Sequence, residues 1–249
     1  MVQYSAGTTD LDLLAIRSRV DKTLANGLQL DMSTDKCKKL LKRHVNTKTN
    51  LIIMFVDINR STELSLSLPD NKFTLVLQCF AQEISDLVSG YGGYVFKYEG
   101  DAVITLFPAM YDDVLACKNA LNCSRTIIDI ITKVINPAFT VHDLPEIKVK
   151  IGLAYGKASI VLYGKNLEKS HIDIVGPSIS MASKIMSVAR PNQVLMGELI
   201  YNIIQSSDSS QDFLRGKRFT EVLQDPIKWK YISRSDPESA YRVYEVLEN

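Results

Sequence analysis

The run Leu51-Ile52-Ile53-Met54-Phe55-Val56 is apolar throughout and stops at an acid, Asp57, followed by the polar stretch Asn59-Arg60-Ser61-Thr62 after Ile58. A short apolar run of this kind reads as a strand buried on both faces. Downstream, a helical pattern covers residues 70–89 and ends at the turn Gly90-Tyr91-Gly92-Gly93. Residues 94–97 and 102–107 read as two strands around Tyr98-Glu99-Gly100-Asp101, a hairpin. A helix over 111–135, strands over 147–154 and 159–163, a helix over 178–188 and a strand over 193–196 follow. The order predicts an α+β fold, the ferredoxin-like split βαββαβ unit. C-terminal additions complete it: a loop over the Ser-, Asp- and Gln-rich residues 206–218, then closing strands over 229–233 and 241–247. There is no internal repeat.

Upstream of the first strand, residues 1–46 lack strand signals. Leu11, Leu13, Leu14, Ile16 and Val20 recur at near-helical spacing, and a second short helix is expected over 35–44, with Ser33 or Thr34 as its cap. The chain therefore divides into a helical N-terminal extension, 1–46, and a larger domain, 47–249. The sequence leaves open whether the extension is a linker, a dimerisation helix or a regulatory piece.

Composition narrows the function. The 249 residues are 46% hydrophobic and 23% charged, with a net charge of +1. These are globular values, and near-neutrality argues against a nucleic-acid binder that works by neutralising phosphates. The basic stretch Lys38-Lys39-Leu40-Leu41-Lys42-Arg43 reads as a solvated helix face. Cys37, Cys79, Cys117 and Cys123 form no CxxC pair and have no His at ligand spacing, so they are expected to be reduced, buried thiols of a cytoplasmic protein. The polar start has no signal-peptide pattern, and the run 51–56 is far too short to cross a bilayer. A soluble chain is the expectation.

Two acids stand where chemistry is expected. Asp57 ends a buried strand and Asp101 lies at the tip of the next hairpin, and a split βαβ arrangement brings both to one end of the sheet. Carboxylates that close repel unless cations bridge them, and hard oxygen ligands suit Mg²⁺ or Mn²⁺ shared with a polyphosphate. The turn Ile58-Asn59-Arg60-Ser61-Thr62 leads towards a helix, where backbone amides can cradle phosphates.

These residues also resemble a known family. Phe55-Val56-Asp57-Ile58-Asn59-Arg60-Ser61-Thr62 resembles the first signature of class III adenylyl and guanylyl cyclases, and Lys97-Tyr98-Glu99-Gly100-Asp101 the second. Asp173-Ile174-Val175-Gly176 with the helix after it resembles the third, and Ala189-Arg190-Pro191-Asn192-Gln193-Val194-Leu195 the segment that follows. The resemblance spans roughly residues 50–247 in order and implies that the domain over 47–249 is a cyclase catalytic domain. It implies that Asp57, Asp101 and the Ile58 carbonyl hold two metal ions per site, Mg²⁺ or Mn²⁺, and that Lys97 and Asp173 read the base. Physics supports ATP independently of the resemblance: lysine only donates and ionised aspartate only accepts, which suits adenine N1 and its amine and mismatches guanine.

One departure from the family pattern falls on the residues that would stabilise the transition state. Where family members place Asn and Arg, this chain has Ser180 and Lys184, four apart and on one helix face. Lysine keeps the charge but lacks the planar fork that fits phosphate oxygens. The resemblance further implies cyclisation of ATP to 3′,5′-cyclic AMP with release of pyrophosphate, in a homodimer whose two sites each draw residues from both copies. A non-enzymatic nucleotide-binding sensor or partner module is the alternative that Ser180 and Lys184 favour. A diguanylate cyclase is disfavoured, because the Gly-Gly-Asp/Glu-Glu-Phe hairpin of that family is absent.

Overall fold

The computed structural model describes residues 12–233 and 236–248 of the chain; Leu11 of the expected first helix lies outside them. Helix α1 (Leu13–Asn26) is capped by Asp12, whose carboxylate accepts from the Ala15 amide at 2.9 Å. Helix α2 (Asp35–Lys42) follows Thr34, whose side chain makes no capping bond. The hydroxyl of Ser33 instead accepts from the Asp35 amide at 3.1 Å.

Strand β1 (Lys48–Ile58) lies inside the sheet, between the strands Ala102–Pro108 and Val149–Tyr163. Its run is apolar without a break because both faces are covered. Ile52, Met54, Val56 and Ile58 enter one buried layer, and Leu51, Ile53 and Phe55 enter the other. By the same alternation Asp57 belongs to the second face. The polar segment after β1 turns at Arg60, in the left-handed region (φ 61°), into a short helix, α3 (Ser61–Ser67). A break at Leu68-Pro69 precedes α4 (Asp70–Gly90), so the expected single helix is preceded by a short one of its own. The hairpin is as expected, with β2 (Tyr94–Glu99) and β3 (Ala102–Pro108), its register shifted at Phe96.

The helix expected over 111–135 begins slightly later and is not uniform. Asp112 caps α5 (Asp113–Ile130) by accepting from the Leu115 amide at 2.8 Å. A π-helical turn (Ile131–Ile135) then carries the chain into α6 (Asn136–Val141). The two strands expected over 147–163 are one, β4 (Val149–Tyr163). Gly156 does not break it, because the ladder with β1 runs unbroken from Lys48↔Ser159 to Ile58↔Val149 and satisfies its backbone. The glycines of β4 serve packing instead: a Cβ on Gly152 would lie 2.3 Å from the Met186 amide nitrogen, in the helix that covers this face.

After β4 come β5 (His171–Val175), α7 (Pro177–Val188), β6 (Gln193–Gly197) and α8 (Glu198–Ser206). The stretch 206–218 is not a loop alone. It holds a 3₁₀ turn (Asp208–Ser210), α9 (Gln211–Leu214) and the start of β7 (Lys217–Glu221). Of the two closing strands, only β8 (Val243–Glu248) forms a ladder. Residues 229–233 contribute one isolated bridge, Ile232↔Ala240, because the chain is turning there: the Trp229 amide returns to the Asp225 carbonyl. The sheet order is β2-β3-β1-β4-β6-β8-β7, with β5 on the far part of β4. Helices α1, α4, α5, α6 and α8 cover one face, and α2, α7 and the Trp229–Tyr241 region cover the other. Among the described residues no helix is long and apolar enough to cross a membrane, and the four cysteines are buried and unbonded to one another.

Candidate active site

Strand register brings the two acids together. Asp57 stands opposite Ala102 on β3 and opposite Lys150 on β4, so Asp101, one residue before Ala102, lies beside it at the hairpin turn. The two carboxyl groups are within hydrogen-bonding reach. Burial first, then the Asp101 charge and hydrogen bond, push the Asp57 pKa up from 3.8 to about 6, and Lys150 draws it part of the way back. A pair of half-buried carboxylates that resists full ionisation is short of positive charge, which is the condition a divalent cation relieves. Among the described residues no group of three or more His, Cys, Asp or Glu gathers as a metal cluster. Two carboxylates and a backbone carbonyl therefore fit a hard cation that takes its other ligands from water and phosphate oxygens. The cysteines are poor candidates for metal ligands, because burial raises every one of their thiols, Cys37 and Cys79 to about 12.

Asn59, Arg60, Ser61 and Thr62 lie directly past these acids. The Asn59 amide is tied to the Lys148 carbonyl at 2.8 Å, and the Arg60 side chain pairs with Glu63 at 3.0 Å on the surface. The amides of Ser61 and Thr62 open the first turn of α3, where no intrahelical acceptor exists. An open groove of about 650 Å³ starts at Asn59 and Arg60 and follows Glu63, Leu64 and Ser67 of α3, with Glu146, Lys148 and Pro191 also lining it; Ser61, Thr62 and the two acids do not line it.

Lys97 and Asp173 meet, although β2 and β5 do not pair. The Lys97 ammonium donates to Asp173 Oδ2 at 2.8 Å and sits 4.7 Å from the centre of the Phe96 ring. Asp173 Oδ1 accepts from the Ile174 amide at 2.8 Å, and His171 Nε2 approaches Oδ2 at 3.3 Å. Burial alone would raise the Asp173 pKa, but Lys97, the Ile174 amide and His171 together hold it below the usual carboxylate value. The aspartate is therefore ionised and acts only as an acceptor, while the lysine acts only as a donor.

Ser180 and Lys184 are exposed on α7, on the side of the helix opposite the buried Ala182 and Ile185. They face away from their own core and are available to something that approaches from outside. No local pattern in the sequence singles out Lys150 or His171. Lys150 is found only through β1–β4 register, and His171 only through the stagger that sets it two residues from Asp173 on the same side of β5.

The model of the adenylate and guanylate cyclase catalytic domain matches residues 44–224. A cytidylate cyclase of Escherichia coli is 29% identical over 160 residues, which is 61% of this chain and 35% of that protein. A cytidylate cyclase of Staphylococcus aureus is 27% identical over 150 residues, 59% of this chain and 36% of that protein. The chain thus spans about a third of the length of these curated relatives. The adenylyl cyclase CyaB from P. aeruginosa superposes with a TM-score of 0.66 at 18% identity, over 82% of this chain and 96% of that one. At such an identity the likeness speaks for the fold.

Proposed function

The chain belongs to the adenylate and guanylate cyclase catalytic domain family, and from that premise we propose that it is an adenylyl cyclase, converting ATP to 3′,5′-cyclic AMP and pyrophosphate as a homodimer. The observation that carries the choice of base is the Lys97–Asp173 pair, one fixed donor beside one fixed acceptor. Adenine presents an acceptor at N1 and a donor at its 6-amine, which this pair complements. Guanine presents the reverse and leaves both side chains unpaired.

The bond made is between the ribose 3′-oxygen and the α-phosphorus, the bond broken joins that phosphorus to the β-phosphate bridge, and the hydroxyl proton is released. Asp57, Asp101 and the Ile58 carbonyl would hold Mg²⁺ or Mn²⁺, two ions per site, and these would supply acidification of the 3′-hydroxyl and neutralisation of the pyrophosphate charge. The segment Asn59-Arg60-Ser61-Thr62 cradles phosphate oxygens with amides at the start of α3. Lys184 supplies positive charge to the α-phosphate as it crowds, and Ser180 bonds the ribose. Because both are exposed on the outer side of α7, they serve the site of a partner copy, so each dimer has two composite sites. No covalent intermediate is needed; the protein contributes position and charge.

One observation favours a second base. Cytosine offers a 4-amine beside an acceptor at N3, the same pattern on a smaller ring, and the curated relatives at 25–29% identity include proteins named cytidylate cyclase. The deciding experiment incubates the purified chain with Mn²⁺ and ATP, CTP, GTP or UTP in turn and separates the products by chromatography. Cyclic AMP as the main product, lost in Asp57→Ala, supports the reading. A predominance of cyclic CMP moves the substrate to CTP, and equal turnover of GTP removes the base-reading role of Lys97 and Asp173. Nucleotide binding with no cyclic product from the folded protein would make the chain a sensor module instead.

A further inference from the structure

Lys97 and Asp173 lie on strands at opposite sides of β3, β1 and β4, and no ladder joins them. They make a 2.8 Å contact, and α2 packs against both strands. Cys37 and Leu41, each 2% exposed, are buried in one layer with Phe96, Ile172 and Ile174. Phe96 immediately precedes Lys97, and Ile172 immediately precedes Asp173. The grip extends to both ends of α2. Lys42, its last residue, pairs with Glu168 in the loop that leads into β5. Upstream of the helix, the Met32 carbonyl accepts from the Tyr98 hydroxyl at 3.1 Å, on the residue after Lys97. Between helix and strands a cavity of about 510 Å³ remains, with Thr34 and Lys38 on the helical side and Lys97, Glu99 and His171 on the other.

We infer that α2 is the positioning element of the base site, with Cys37 and Leu41 setting the Lys97–Asp173 separation, so that docking of the N-terminal segment and recognition of the nucleobase are one coupled equilibrium. The inference rests on reading Lys97 and Asp173 as the base readers. Cys37 and Leu41 line that cavity together with Lys97, and they act on the Lys97–Asp173 separation through Phe96 and Ile172. Coupling of this kind is reciprocal: if docked α2 favours nucleotide, bound nucleotide favours docked α2 by the same factor.

Cys37 reports that equilibrium, because it is buried on the inner side of α2 and lifting of the helix would expose its thiol. The full chain is treated with N-ethylmaleimide, with and without a non-cyclisable ATP analogue and Mn²⁺, and labelling at each cysteine is followed by peptide mass spectrometry. Bound analogue should slow labelling of Cys37 about fivefold or more, with Cys79, in the layer on the other face, as the internal reference. In activity, Leu41→Ala should raise KM about tenfold with kcat nearly unchanged, and Leu41→Met should restore it. Analogue that binds by equilibrium dialysis yet leaves the Cys37 rate unchanged overturns the inference, whatever the variants do. Lys97→Ala separates the two levels. If it leaves the preference among bases intact, the base-reading assignment falls and this inference with it. If it abolishes that preference while Cys37 labelling ignores nucleotide, only the role of α2 falls.

Discussion

Lys150 stands directly across the β1–β4 ladder from Asp57, and its ammonium opposes the burial and the Asp101 charge that raise the aspartate's pKa to about 6. The folded chain thus binds this proton more tightly than the unfolded chain, whose aspartate keeps the ordinary 3.8. The contribution of Asp57 to stability is therefore greatest in acid and is lost as pH rises from about 4 to about 6. In chelator, Asp57→Asn should lack this slope, and its melting temperature should exceed that of the wild type by more at about pH 7 than at about pH 4.5. Mn²⁺ at neutral pH should raise the wild-type melting temperature and leave that of Asp57→Asn unmoved. Apparent metal affinity should fall as the pH drops below about 6, because the ion must then displace the shared proton. Parallel pH profiles for the two proteins would contradict the coupled-carboxylate account.

The ionised Asp173 and its Lys97 partner make a prediction about bases that does not depend on ring size. Replacing an amine by a carbonyl puts an acceptor opposite a half-buried carboxylate, so two acceptors face each other without a proton between them. Steady-state kinetics should show ATP preferred over ITP, and CTP over UTP, by about a hundredfold or more in kcat/KM. Asp173→Ala should compress both ratios towards unity. Ratios near one in the wild type would show that neither residue reads the amine.

Much of the fold is legible in the sequence because local chemistry and tertiary context agree. The run from Leu51 to Val56 demands a strand covered on both faces, and the two buried layers on either side of it are the reason. Where the two disagree, the sequence misleads. Residues 147–154 and 159–163 read as two strands, yet β1 satisfies the backbone between them, and at Gly156 the missing side chain lets α7 approach, with Ser178 Cβ only 3.2 Å from where a Cβ would sit. Strand β5 escapes a sequence reading because two of its five residues, Ile172 and Ile174, are buried and the other three are polar or exposed, too short a pattern to register. Asp57 and Asp101 are legible as strand-end and hairpin-tip acids. Lys150 and His171 are not, since their relevance lies in register and stagger that no local pattern encodes.

The N-terminal extension is bound to the domain by buried charge. Glu83, fully buried on α4, accepts from Arg19 of α1 at 3.0 Å, and its neighbour Gln82 accepts from the Gln29 amide at 2.6 Å and the Leu30 amide at 3.0 Å. Removing Arg19 strands a carboxylate without its cation. Arg19→Ala should cost about 3 kcal/mol in urea denaturation, and Arg19→Ala/Glu83→Gln should recover part of the loss because no buried charge is left unpaired. A single variant within the error of the wild type would mean that the extension is only loosely attached.

Sites that take Asp57 and Asp101 from one copy and Lys97, Asp173, Ser180 and Lys184 from its partner predict complementation. Asp57→Ala and Lys97→Ala chains should each be nearly inactive alone. Mixed and allowed to exchange, they form heterodimers with one site that carries both lesions and one that carries neither. About half of those heterodimers' capacity should return, scaled by the fraction that forms, as measured by native mass spectrometry beside the activity assay. Heterodimers present without recovered activity would place all the functional groups of a site in one chain.

Lys184 is the residue where this chain departs from its family's pattern in a way that rate can read. It is exposed on α7 four residues after Ser180, on the same side of the helix, so neither is held by packing and a substitution there leaves the core intact. A lysine presents its charge at one point, whereas an arginine presents two parallel donors to phosphate oxygens and loses less freedom in doing so. If the group acts on the charge that builds in the transition state, the change should appear in kcat and leave KM nearly alone. Lys184→Arg should then raise kcat about tenfold, and Lys184→Ala should lower it about a hundredfold, with melting temperatures unchanged in both. An equal rise in KM on Lys184→Ala would instead mean that the lysine holds ground-state phosphate. No effect of either substitution would remove α7 from the chemistry and leave Ser180 without a role there.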